Sequence, residues 1–218
     1  MINLIEENKI FPQIFMWMFI GLAITFGTGY YVSLHSNMLY NIFTKLYIFL
    51  AIAEIGVVIF LGARIRKLQP TTAKILFCVY AFLTGLTFSS IFVVYNMMSI
   101  MYVFGITSLI FLLFAALGYY AKVDLTKIGI YLFMILLGII ICSIINIFVG
   151  SAKFDFALTV LCLIVFIIYI AYDIQVIKRN MYYIDNEENL AIYGALQLYL
   201  DFINIFIRLL QIFGKNRD

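Results

Sequence analysis

Two acidic residues stand where the hydrocarbon of a bilayer is expected: Asp173 in IYIAYDIQ and Asp201 in ALQLYLDFINIF. A carboxylate in a lipid-spanning helix is costly and persists mainly where it faces the protein interior or water, so each is a functional-site candidate. Asp173 precedes the basic pair Lys178–Arg179 and shares a helix face with Tyr169. Such a residue either reaches interfacial water or meets Asp201. Two carboxylates close together in a poorly solvated place cannot both ionise cheaply. They would form a proton-sensitive site, or a site for a hard, oxygen-seeking cation such as Ca²⁺ with Asp173 and Asp201 as ligands.

Asp201 belongs to a longer polar series. Gln197, Asp201, Asn204 and Arg208 follow an i, i+4, i+7, i+11 spacing that places them on one helical face, beside an apolar stripe of Leu198, Phe202, Ile205 and Leu209. A helix so composed should be surrounded by others, its polar stripe lining a cavity or satisfied across helix–helix contacts. Glu54, in LAIAEIGVVIF, is a third acidic residue near the middle of an apolar run, and Arg64 closes the same run. Ten residues of helix separate them by about 15 Å, too far to pair with each other. Arg64 is expected on the same membrane side as Asp173, where it is either a topology signal or the partner of an ion pair.

Other chemistry finds little support. His35 stands alone, outside any zinc or haem spacing. Ser89 and Ser90 lie in TGLTFSS with no histidine in a neighbouring apolar run. Thr84, Gly85 and Ser89 read better as a close helix contact. Cys78, Cys142 and Cys162 each fall inside an apolar segment and read as small hydrophobes. No phosphate-cradling loop is present, so the chain is not expected to be an enzyme and needs no cofactor.

The elements that must position these residues follow from composition. Two-thirds of the 218 residues (66%) are apolar and 11% are charged, far from the roughly 25% charged of soluble domains. Apolar runs without strict alternation argue for helices over a barrel. Seven segments are long enough to span, at about 12–33, 46–64, 74–95, 99–120, 127–149, 155–177 and 191–213. The expected fold is an all-α seven-helix membrane bundle, with the last helix central and one domain over 1–218. Nine Lys and Arg fall in the N-terminus and the breaks after segments two, four and six, against two in the remaining breaks. The positive-inside rule then puts the N-terminus in the cytoplasm. The C-terminus should lie outside, although the basic tail GKNRD leaves room for a last segment that enters without crossing. A net charge of +3 carried at helix ends gives no nucleic-acid signal.

LYLDFINIFIRLLQIFG at 198–214 resembles the last helix of the Bax inhibitor-1 family, and YIAYDIQ at 169–175 its sixth-helix YxxYDxQ pattern. VYAFLTGLTFSSIF at 79–92 resembles the third helix, and the Glu54-to-Arg64 segment the second. The resemblance implies a pH-sensitive Ca²⁺ leak channel in which Asp173 and Asp201 form the sensing pair and Arg64 latches onto Asp173. Arg66 is an alternative for the latch. Glu54, with Asn204, Gln197 and Arg208, would line the ion path. Its partners would be the lipid bilayer, Ca²⁺ and protons. The other function it suggests is a non-conducting regulator of a membrane protease, or of cell-death or stress machinery. The short chain fits a bacterial inner-membrane member better than one of the endoplasmic reticulum or Golgi.

Overall fold

The computed structural model describes residues 4–65, 67–181 and 186–217. They form α1 (Leu4–Ser33), α2 (Ser36–Asn41), α3 (Tyr47–Arg64), α4 (Pro70–Val94), α5 (Met97–Tyr120), α6 (Gly129–Val149), α7 (Ala152–Asn180) and α8 (Glu187–Phe213). Among the described residues there is no strand, and seven helical spans are long and apolar enough to cross a membrane. The protein is thus an all-α, multi-pass membrane fold.

Local sequence sets the breaks. Pro70 opens α4 at its first position, where a missing N–H costs nothing. Gly150 ends α6 with φ +69°, the left-handed turn that glycine adopts without a Cβ clash, and its N–H donates to Asn146 O at 2.8 Å. Two residues, Tyr95 and Asn96, separate α4 from α5. The second span departs from expectation: it runs from Asn37, not from about 46, and SLHSNMLYN is mostly helical. Its Ser and Asn mark a break only around Leu34–His35, because Leu39, Tyr40, Ile42 and Phe43 keep a helical apolar spacing. A widened π-turn at Ile42–Leu46 joins α2 to α3, with the Thr44 hydroxyl donating to Tyr40 O at 2.6 Å.

Burial separates the last helix from the rest. Within its most apolar window α8 is 72% buried, against 11–44% for the other spans. The least apolar helix is the enclosed one, as its polar stripe requires.

By internal contacts the chain divides into two compact units. The first comprises Met1–Met97, Asn180–Tyr199 and Asn216–Asp218. In it α1 and α4 pack so closely that a Cβ on Gly85 would stand 2.7 Å from Thr28 Cβ and 2.9 Å from Thr25 O. Beside that contact the Thr25 hydroxyl donates to Ala81 O at 2.9 Å and shares a 2.6 Å hydrogen bond with Tyr199 Oη. Tyr199 is fully enclosed, with edge-on rings of Phe77 and Tyr80 against it at 5.8 and 5.9 Å. Two ties hold α4 and the chain's last helix at matching ends. Lys74 Nζ meets Glu188 at 2.8 Å near both N-termini, and the tail beyond α8 donates Arg217 N–H to Val94 O at 2.8 Å. The tail therefore lies at the α4–α5 turn, and α8 is long and apolar enough to cross a membrane.

The second unit comprises Met98–Arg179 and Leu200–Lys215. Here α5 and α7 meet at Gly118, where an added Cβ would lie 2.6 Å from both Ala171 Cα and Ala171 O. Phe104 and Phe111 of α5 pack against Phe202 of α8 at 5.3 and 5.9 Å between ring centres.

Two stability predictions follow from these contacts. Gly118→Ala should lower the melting temperature in detergent, at about 1–3 kcal/mol for a backbone contact that cannot yield. Gly105→Ala on the same helix, where nothing lies within 4 Å, should leave it unchanged or slightly raised. Thr25→Val should cost about 1–3 kcal/mol by leaving buried polar groups unmatched. Combined with Tyr199→Phe the loss should be clearly less than the sum, which a double-mutant cycle of melting temperatures would measure.

Candidate functional site

Asp173 sits on α7 and Asp201 on α8, and both belong to the second unit. Each is only 3% exposed. Their carboxyl groups hydrogen-bond to one another. Ionised carboxylates only accept, so this contact needs a proton on one of the two. Asp201 Oδ2 is buried with no hydrogen-bond partner among the described residues. Tyr169, one turn before Asp173, lies within electrostatic reach of both carboxyls. The two acidic residues singled out by their place in apolar runs are therefore in contact, and Asp173 does not extend into interfacial water.

The spacing of the pair's neighbours explains how they are held. Ile170, Ile174 and Ile177 on α7, and Leu198, Phe202, Ile205 and Leu209 on α8, are all buried. Each aspartate is thus flanked on its own helix by buried apolar side chains. The rest of the α8 series is less enclosed. Asn204 is half-buried and donates Nδ2–H to Leu200 O of its own helix at 2.8 Å. Arg208 is half-buried, bonds Gln211 Oε1 through Nη1 at 2.9 Å, and keeps a buried Nε with no partner among the described residues. Gln197 is half-buried in the first unit.

Glu54 also lies in the first unit, half-buried on α3. The Thr87 hydroxyl of α4 reaches both Glu54 Oε1, at 3.0 Å, and Thr84 O, at 2.9 Å. Thr87 is a partner that sequence reasoning passed over, although it falls within the TGLTFSS run already read as a helix contact. Arg64 is exposed at the last turn of α3, in the first unit, while Asp173 lies in the second. Arg66 falls outside the described residues.

Among the described residues no group of three or more His, Cys, Asp or Glu side chains is arranged to hold a metal ion. Two carboxyls offer at most four oxygens, whereas Ca²⁺ takes six to eight. Asp173 and Asp201 alone would therefore make a transient station for a hydrated ion and not a closed cage. The cysteines are free thiols, Cys162 buried and Cys78 and Cys142 half-buried, in keeping with a packing role.

The chain matches the family described as inhibitor of apoptosis-promoting Bax1 over residues 7–218. It is 40% identical over 212 residues to the inner membrane protein YbhL of Escherichia coli K12, covering 94% of this chain and 91% of that one. It is 38% identical over 222 residues to an uncharacterized protein of Borreliella burgdorferi, covering 99% and 96% respectively. An uncharacterized membrane protein of Streptococcus pyogenes serotype M3 is 32% identical over 216 residues, 96% of this chain and 93% of its own. With seven apolar spans, a buried aspartate pair on the last two of them, and a family match along almost its whole length, the chain belongs to the Bax inhibitor-1 family of multi-pass membrane proteins.

Proposed function

We propose that this protein is a pH-sensitive cation leak, with Ca²⁺ as the ion, whose sensor is the Asp173–Asp201 pair. The observation that carries the reading is the hydrogen bond between two carboxyls that are each 3% exposed within apolar helices. That contact exists only while one carboxyl holds a proton. Stripping the proton leaves two anions facing each other in a poorly solvated place. They must then separate or take up a cation, which couples proton loss to helix movement or to ion entry. The hydrogen-bonded arrangement is accordingly the low-pH member of a two-state pair. In the same reading Arg64 supplies a positive charge that favours one state, and Glu54, with Gln197, Asn204 and Arg208, lines the path of a hydrated ion. The placement of the E. coli relative supports an inner-membrane setting.

An amide can donate to a carboxylate without any proton being taken up. Asp173→Asn and Asp201→Asn should each preserve a hydrogen bond across the pair while removing its titration. In Ca²⁺-dye-loaded liposomes between about pH 6 and 8, the natural protein should show a pH-dependent flux, and both variants a flattened one. Equal pH dependence in all three proteins would sink the sensor. The absence of flux above empty liposomes, with folded protein, would favour a non-conducting regulator of another membrane protein.

A further inference from the structure

α3 is the most loosely embedded of the long helices. Its span, Asn37–Arg64, is 11% buried in its most apolar window, the lowest of the seven. One stripe of it turns inward: Leu50, Glu54, Val57 and Leu61, at spacings of four, three and four. Leu50 and Leu61 are buried, and Leu50 clusters with Leu83 and Leu86 of α4. Glu54 thus takes a contact position that an apolar side chain would fill at no electrostatic cost. Among the described residues it is also the one α3 side chain hydrogen-bonded to another helix. All of these residues belong to the first unit.

Among the described residues no ion pair includes Glu54. The titratable groups within its electrostatic reach are the phenols of Tyr80 on α4 and Tyr199 on α8. Glu54 lies ten residues, about 15 Å, from the Arg64 end of its helix, well inside a hydrocarbon layer of about 30 Å. A carboxylate held there without a cation is costly, and taking up a proton removes that cost.

The place of the proton can be read from Thr87. Its hydroxyl has one proton, and two oxygens stand before it: Thr84 O at 2.9 Å and Glu54 Oε1 at 3.0 Å. A hydroxyl within a helix commonly returns its proton to the carbonyl three or four residues earlier, and Thr84, Ser89 and Ser90 of α4 all do so. With the Thr87 proton on Thr84 O, the contact to Glu54 is made only if the carboxyl donates, its O–H aimed at a lone pair of Thr87 Oγ1. A carboxylic acid at Glu54 satisfies both contacts at once. A carboxylate would compete with Thr84 O for a single proton. We propose that Glu54 is a proton-binding site separate from the aspartate pair, and that its O–H, donated to Thr87, clasps α3 to α4.

The test is carbodiimide labelling of the purified full-length protein in neutral detergent, mapped by peptide mass spectrometry. N,N′-Dicyclohexylcarbodiimide takes up the proton of a carboxylic acid, and the acid's oxygen adds to its central carbon. An acyl shift from oxygen to nitrogen then leaves a stable N-acylurea, with no atom lost. At about pH 7 a carboxyl in water is ionised by roughly a hundredfold or more, so the exposed Asp124 and Asp155 should label poorly and Glu54 severalfold better. Glu54→Gln should abolish the label on its peptide and keep the melting temperature near that of the natural protein, because the amide also donates to Thr87. Hydrogen–deuterium exchange reads the clasp. Thr87→Val should raise exchange along α3 severalfold, and Thr87→Ser, which keeps the hydroxyl, should not. Labelling of Glu54 no greater than that of Asp124 and Asp155 overturns the proton site. Exchange along α3 that is unchanged in Thr87→Val overturns the clasp. Neither measurement involves flux, so their outcome stands apart from that of the leak.

Discussion

A helix with an acid, an amide pair and an arginine on one face cannot be left against lipid, and its burial follows from that constraint. α8 is the least apolar of the seven and the most enclosed. Each unpaired polar group moved into hydrocarbon costs several kcal/mol, so enclosure by protein is the cheaper solution. The other spans expose long faces of Phe, Ile and Leu, as lipid-facing spans do.

Enclosure in a membrane cannot rely on hydrophobicity, because lipid tails are as apolar as leucine. Close packing and a few internal hydrogen bonds must supply it instead. Small residues do the first at Gly85 against Thr25 and Thr28, and at Gly118 against Ala171. Polar contacts do the second, and α8 contributes to both units within three residues. Tyr199 is tied to Thr25 in the first, and Asp201 meets Asp173 in the second. The first tie joins two hydroxyls and the second two carboxyls, from positions 199 and 201 of a single helix.

Much of this was legible from residue types alone. The i, i+4, i+7, i+11 stripe and the counting of long segments identified the fold and the enclosed helix; the acids in apolar runs marked Asp173 and Asp201, while their pairing rested on the family resemblance. Other features were not, for physical reasons. A span's start depends on whether a polar Ser or Asn can sit within a helical turn, and Ser36–Asn41 does so where composition suggested a loop. The Thr25–Tyr199 and Thr87–Glu54 contacts involve common residues whose partners lie 174 and 33 positions away, so no local spacing reveals them. Nor does the basic composition of the tail reveal that Arg217 settles on the carbonyls of Val94 and Phe92 at the end of α4, where the helix dipole favours a cation.

The paired ties on α4 and α8 have a mechanical meaning. Lys74–Glu188 near one end and Arg217–Val94 at the other oppose sliding of these two helices past each other. A span of 25 residues at 1.5 Å each is about 37 Å long, more than the hydrocarbon thickness of a typical bilayer. The clamped pair therefore works as a ruler of fixed length. A thinner or thicker membrane has to be met by tilting the pair as one body or by deforming the lipid around it, so bilayer thickness becomes a load applied to the protein as a whole.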